Sequence, residues 1–330
     1  MKITVVGTGA FGIAMAYRLN SGEDNEVLIW SESQGKIDEY AETGAIGAVL
    51  GGRPLPDGLR FTTSMEEAVK GSELVFILTA SPFVRSVCEQ LKPYLAEGFY
   101  PIVGSKGVCP DGSIPANAAM EILGCDCGVI AGPGFAEDIL EDCPVGFTFA
   151  TISDEIYDKV ASAYAHDRNV VIDRSSDAIG VSLCSCIKNA TAVACGALSG
   201  AGHLESTICL LVHRAVKDLS AITAKLPNGS SETPYTLAGI GDLMLTCFSS
   251  KSRNCSFGYV VGQYGFNTKQ AQGYLDHNTV EGMTVIRQWG AMAESIGIDS
   301  PFMNMMQKVF SSEGDISMLI DFALHGALTE

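Results

Sequence analysis

Basic residues are scarce in this 330-residue chain: 21 Lys and Arg stand against 38 Asp and Glu, a formal net charge of −17. No basic run stands out either. That excludes a general binder of nucleic acid or of anionic membranes, because both tasks need clustered cations to meet phosphate. No uncharged apolar stretch of ~18 residues is found, so no membrane-spanning segment is expected. The opening Met1-Lys2-Ile3-Thr4-Val5-Val6-Gly7 is too short an apolar stretch for a secretory signal and runs directly into a turn. Cysteine spacing of the zinc-knuckle type is missing. The eleven cysteines are scattered and odd in number; Cys125/Cys127 and Cys184/Cys186 are C-x-C pairs, and no His lies at ligand spacing from them. No metal is expected, and the thiols read as reduced, buried residues of a cytosolic protein. Repeats and low-complexity tracts are lacking, and Gly (36) and Pro (12) stay near ordinary usage. With 47% apolar residues, disorder is excluded.

What is present is a length that predicts two domains, since a single core rarely grows past roughly 250–300 residues. The first half alternates short, β-branched runs with helical segments. Residues 3–6, 26–30, 74–78, 100–103, 128–131 and 146–150 read as strands, continuous in apolar character as parallel strands covered on both faces are. Helices are expected over 11–19, 64–69 and 82–91, the last with Ser81 as N-cap and Pro82 at the first helical position. The Gly/Pro-rich stretch 44–58 reads as a loop. From Asp177 onward the pattern turns long and helical: 177–198, 205–224, 239–247, 280–295, 301–310 and 316–328. The fold class is therefore α/β, a doubly wound Rossmann sheet over 1–176 followed by an all-α domain over 177–330.

Gly7-Thr8-Gly9-Ala10-Phe11-Gly12 is G-x-G-x-x-G, placed directly after a strand and opening a helix. The first glycine permits the tight turn, the second lets backbone approach a pyrophosphate, and the third lets helix pack on strand. The helix N-terminus offers N–H groups and a positive dipole end to the phosphates. Glu32 lies twenty residues beyond Gly12, just past the next strand. A carboxylate there accepts hydrogen bonds from a ribose diol and repels an extra phosphate, which predicts NAD in preference to NADP.

Four further segments interrupt apolar surroundings with polar residues: Gly104-Ser105-Lys106-Gly107; Lys188-Asn189; the run from Ala238-Gly239-Ile240-Gly241-Asp242 through Thr246-Cys247 to Ser252-Arg253-Asn254; and Val280-Glu281-Gly282. Lys188 sits in a segment otherwise made mostly of Ala, Val, Cys, Thr, Leu and Ile. A lysine so placed needs a partner or must be neutral, and burial favours the neutral amine that a general base requires. Asp242 and Thr246, four apart, share a helix face. A helix continuing through Ser249-Ser250 would bring Arg253 to nearly the same face, eleven residues on, adding a guanidinium that grips phosphate bidentately.

Taken together these segments resemble the bacterial-type NAD(P)-dependent glycerol-3-phosphate dehydrogenases. The likeness adds G-P-x-F-A at Gly132–Ala136 and S-R-N…F-G at Ser252–Gly258, and it runs the length of the chain. It implies that Lys188 is the catalytic base, with Lys106 a second lysine touching cofactor and substrate and Asp242 the acid that orients the amine. Gly132, Gly134, Asn189, Asp242, Thr246, Ser252, Arg253 and Asn254 are implied on the substrate side. Gly7, Gly9, Ala10, Phe11, Gly12, Glu32, Lys106, Ala136, Arg253, Val280 and Glu281 are implied on the cofactor side. It further implies a small phosphorylated substrate, NAD or NADP as cofactor, and a homodimer. Gly134 stands where the family usually carries Ser or Thr, Asp138 where it has Glu, and Glu205-Ser206-Thr207 lacks the family's Asn and basic residue. A related hydroxyacid dehydrogenase of ketopantoate-reductase or β-hydroxyacid type is the alternative, and a non-catalytic NAD-binding protein a more distant one.

Overall fold

The computed structural model describes residues 1–47, 49–312 and 314–326. The chain divides into two compact units, one of Met1–Cys109 with Pro115–Ala178 and one of Pro110–Ile114 with Ile179–Glu330.

The first unit is built on an eight-stranded sheet: β1 (Lys2–Val6), β2 (Glu26–Trp30), β3 (Phe61–Thr62), β4 (Leu74–Ile77), β5 (Tyr100–Val103), β6 (Gly128–Ala131), β7 (Val145–Ala150) and β8 (Val170–Ser175). Its order is β3-β2-β1-β4-β5-β6-β7-β8. The strands pair in parallel from β3 to β6, β7 runs antiparallel to β6, and β8 is parallel to β7. Every residue of β4 and β6 is buried, as the unbroken apolar sequences predict for strands covered on both faces. After β3 the chain returns to the far side of β1 to form β4. The loops that leave β1 and β4 therefore diverge, and a crevice opens outside the carboxyl ends of these two strands.

Two strands escaped the sequence reading for physical reasons. β3 has two residues, and β8 (Val-Val-Ile-Asp-Arg-Ser) is an edge strand of alternating exposure carrying Asp173 and Arg174. The expected N-cap at Ser81 is also corrected. Ala80 holds the extended cap position, Ser81-Pro82-Phe83 form a 3₁₀ turn, and the α-helix begins at Val84. In the stretch read as a loop, Val49–Gly52 form a 3₁₀ turn through positive-φ backbone at Leu50 and Gly51; Ala48 lies outside the described residues.

The second unit is helical around one central helix, Ala178–Gly200, in which positions 180–198 are all buried. By length and composition alone this helix could cross a membrane, but it carries Lys188 and 89% of its apolar window is buried inside the protein. It is a core helix. The helix Arg253–Tyr264, missed in the sequence because it contains Gly258 and Gly262, packs on it backbone to backbone. A Cβ at Gly258 would lie 2.0 Å from Val193 O, and one at Gly196 would lie 2.0 Å from Cys255 O. Glycines on both helices thus permit an approach that any side chain would block. The C-terminal helix runs Ser317–His325; the two final positions of the expected helix, 327 and 328, lie outside the described residues.

Candidate active site

A cleft of about 230 Å³ opens at the β1/β4 switch of the first unit. Gly7, Thr8 and Gly9 come from the turn after β1, Trp30, Glu32 and Lys36 from β2 and beyond, and Thr79, Ala80, Phe83 and Val87 from the segment after β4. Gly7 has φ +126°, and a Cβ there would sit 2.9 Å from Leu78 O. A Cβ at Gly12 would meet Gly7 O at 2.6 Å, so the third glycine lets the helix Ala10–Asn20 start directly on the turn. Gly9 is exposed, with nothing within 4 Å of where its Cβ would be. As N-cap it offers no side chain to the first-turn N–H groups, and no acidic residue occupies that turn. Amides at a positive helix end, reached over open backbone, fit a dinucleotide's pyrophosphate.

Ala10 and Phe11 open that helix. Glu32, on the rim, pairs with Lys36 at 3.8 Å; both side chains are exposed, so the pair adds little stability. Lys36, Thr79, Ala80 and Phe83 were not singled out from sequence. The signal available was Thr79-Ala80 directly after a strand, a position the topology turns into a cleft wall.

In the same unit Lys106 follows β5. Its Nζ donates to Gly132 O at 3.4 Å and stands 5.2 Å from the centre of the Phe11 ring. Three sequence-predicted residues thus meet around one ammonium. Gly132 tolerates no side chain, since a Cβ would fall 2.4 Å from Gly146 O. Ala136 begins the short helix Ala136–Leu140.

In the second unit, Lys188 and Asn189 occupy the middle of the central helix, 6% and 2% exposed. Lys188 Nζ donates to Asp242 Oδ1 at 3.0 Å and to Thr246 Oγ1 at 2.8 Å. Asp242, 1% exposed, is the first residue of helix Asp242–Phe248, which continues from a π-helical turn over Leu237–Gly241. Thr246, one turn on, donates its own hydroxyl proton to Asp242 O at 2.7 Å. That leaves a lone pair of Oγ1 aimed at the lysine. The chain thus supplies a buried amine with a carboxylate and a hydroxyl that fix two of its three N–H directions.

The expected continuous face from Asp242 to Arg253 is corrected. The helix ends at Phe248, Ser249 is extended, and a new helix starts at Arg253, with Ser252 as N-cap accepting from Cys255 N–H at 3.2 Å. A cap serine ends one helix register and begins another, so the eleven-residue spacing carries no common face. Arg253 is exposed, in the first turn of the new helix. Asn254 points inward. Its Nδ2 donates to Asn189 Oδ1 at 3.0 Å, and its Oδ1 accepts from Gly282 N–H at 2.8 Å. Asn189 Nδ2 donates to Glu281 Oε2 at 2.9 Å. Val280, buried, caps the helix Glu281–Ile296, and a Cβ at Gly282 would lie 2.4 Å from Asn189 O.

The family model of the NAD-dependent glycerol-3-phosphate dehydrogenase N-terminus matches residues 2–156, and that of the C-terminus matches residues 177–321. The chain belongs to the NAD-dependent glycerol-3-phosphate dehydrogenase family. It is 30% identical to the glycerol-3-phosphate dehydrogenase [NAD(P)+] of Rhizobium johnstonii, over 97% of this chain and 96% of that one. Glycerol-3-phosphate dehydrogenase [NAD(P)+] 2 of Lactobacillus delbrueckii is 27% identical over 97% and 96%. The solved glycerol-3-phosphate dehydrogenase of Coxiella burnetii superposes with a TM-score of 0.85, at 25% identity and 98% coverage of both chains. The family's G-P-x-F-A turn is altered here at Gly134. A Cβ at that position would lie 3.0 Å from Ile139 Cδ1, so the hydroxyl side chain usual in the family would need Ile139 to move. Of the eleven cysteines, seven are buried, but Cys125, Cys143 and Cys255 are half-buried and Cys209 is exposed, a correction to the expectation of uniformly buried thiols.

Proposed function

We propose that the chain interconverts sn-glycerol 3-phosphate and dihydroxyacetone phosphate, with NAD or NADP carrying the hydride and Lys188 carrying the proton. The observation behind this reading is the buried Lys188 amine held by Asp242 and Thr246 within an apolar core. A buried ion pair is a poor stabilising device compared with packed hydrophobes, so its presence in the long central helix, buried throughout 180–198, asks for a chemical reason.

In the oxidising direction Lys188 Nζ accepts the C2 hydroxyl proton while hydride leaves C2; in reduction its ammonium returns a proton to the carbonyl oxygen. The bound dinucleotide supplies or takes the hydride. Asp242 orients the amine and balances its charge, and Thr246 fixes its position. A positioned acid–base group of this kind contributes about 10²–10⁴-fold. Lys106, beside Gly132 and Phe11, is the second cation of the scheme, set between substrate turn and cofactor helix. Arg253 is the phosphate ligand: exposed, at a helix N-terminus, with a guanidinium fork that suits phosphate oxygens. Local cations of this sort are needed because the net charge of −17 opposes any phosphorylated ligand.

Gly7, Gly9, Ala10, Phe11 and Gly12 hold the cofactor's phosphates and Glu32 its ribose diol, which favours NAD over NADP. Val280 and Glu281 complete the cofactor contacts. A cytoplasmic location accords with eleven cysteines held as thiols, none in a disulfide. A homodimer is proposed, supported by exposed Leu204, Phe248, Tyr259 and Tyr264 on the helical unit. Native mass spectrometry tests it. The activity is tested by following NADH loss against a panel of phosphorylated and carboxylated ketones. Dihydroxyacetone phosphate should be turned over with kcat/KM at least ~10²-fold above 2-ketopantoate or any β-keto acid; preference for a carboxylated ketone refutes the reading.

A further inference from the structure

The carboxamides of Asn189 and Asn254 are oriented by partners whose hydrogen-bonding sense cannot change. The backbone N–H of Gly282 only donates, so the Asn254 atom 2.8 Å from it is the acceptor Oδ1. That turns Asn254 Nδ2 toward Asn189 Oδ1 at 3.0 Å, and this in turn faces Asn189 Nδ2 to the Glu281 carboxylate at 2.9 Å. Three bonds run in one direction from a backbone donor to a charged acceptor. Because Glu281 and Gly282 are neighbours, the path closes on itself through the first turn of Arg253–Tyr264 and the middle of the central helix. Asn189 and Asn254 are 2% and 9% exposed, so water cannot readily replace a bond lost there.

We propose that Asn254 is a positioning residue for Glu281. It fixes the amide sense of Asn189, the neighbour of Lys188, and so holds the Glu281 carboxylate in the place from which it meets the cofactor. This rests on the proposed role of Glu281 as a cofactor contact. Aspartate at 254 would still accept from Gly282 N–H, but it would present an acceptor to Asn189 Oδ1. Asn189 would have to flip, turning its own carbonyl oxygen against the Glu281 carboxylate. Glutamine at 281 can donate to that flipped oxygen, so the two side-chain bonds would reverse while the Gly282 N–H still donates to residue 254.

The test is a double-mutant cycle read on NADH affinity by fluorescence titration without substrate. Asn254→Asp should weaken NADH binding by at least ~10-fold in the parent, the scale of one hydrogen bond to a charged group. In the Glu281→Gln background the same change should cost no more than ~3-fold. Equal losses in the two backgrounds, or no loss in the parent, overturn the proposal. A merely structural role would lower the melting temperature and the active fraction without this background-dependent Kd. If Asn254→Asp does not fold, Asn189→Asp with and without Glu281→Gln follows the same donor and acceptor logic, and additive losses there overturn it equally. Failure of the underlying cofactor reading is recognised separately, since the parent would then bind NADH no more tightly than the Glu281→Gln single variant.

Discussion

Replacing Asp242 by Asn removes one charge and almost no volume, and its cost can be worked from the pair it breaks. Asp242 and Lys188 are 1% and 6% exposed and 3.0 Å apart. Taking away one partner of a buried pair costs about 3–5 kcal/mol, because the other charge is left uncompensated. The amide oxygen of the new side chain returns about 1 kcal/mol as a neutral acceptor, while the Thr246 contact is the same in both proteins. A net loss of about 2–4 kcal/mol remains. For a folding unit of this size each kcal/mol moves Tm by about 2–4 °C. Asp242→Asn should therefore melt roughly 5–15 °C below the parent by far-UV circular dichroism in the absence of cofactor. Turnover should fall too, since the amine loses the group that orients it. Lys36→Gln, which breaks the exposed pair with Glu32 at 3.8 Å, is the control and should move Tm by no more than ~2 °C. An Asp242→Asn protein melting within ~2 °C of the parent would refute the claim that this carboxylate compensates a buried ammonium.

Three further outcomes are expected. Arg253→Ala should raise KM for dihydroxyacetone phosphate at least ~10-fold with a smaller effect on kcat, by steady-state assay, the size of a lost charge-assisted contact. Glu32→Ser should lower the NAD-over-NADP preference in kcat/KM by ~10-fold or more, removing about one charge repulsion from the ribose site; an unchanged ratio places cofactor discrimination elsewhere. The third concerns Asp218, whose carboxyl burial pushes up to about 6, although Ser300 O–H and the Phe302 backbone N–H pull the other way, as does Lys225, while Asp299 adds to the rise. The folded state then binds the proton more tightly than the unfolded chain. Stability should be highest below pH ~4 for this group and fall as pH rises toward and through 6, by at most about 3 kcal/mol. Chemical denaturation of Asp218→Asn against the parent from pH 4 to 8 checks this; the variant should gain relative stability at the alkaline end.

How far the sequence could be read follows the kind of signal each part carries. β5 and β6 were legible to the residue because no polar position breaks the run, and β2 because four buried apolar residues follow its exposed Glu26. The helix Gln34–Thr43 gave no such signal, having no buried residue and so no apolar stripe. Arg253–Tyr264 was not read as a helix of its own because its glycines serve close helix packing, a tertiary reason invisible in local propensity. At the site, the phosphate turn was readable from spacing and context. The Lys188–Asp242 pair, 54 residues apart in sequence, was not derivable from periodicity; only its resemblance to a family pattern joined the two. That same resemblance gave no sign of the hydrogen bonds that Asn254 makes within the protein, to Asn189 and Gly282.

Whether a proton moves through Lys188 is tested most directly by kcat of Lys188→Ala with dihydroxyacetone phosphate and NADH, alongside NADH affinity by fluorescence titration. A fall in kcat of at least ~10²-fold with NADH affinity within about 3-fold of the parent is expected. Turnover near the parent level would contradict the assignment of the amine as the acid–base group.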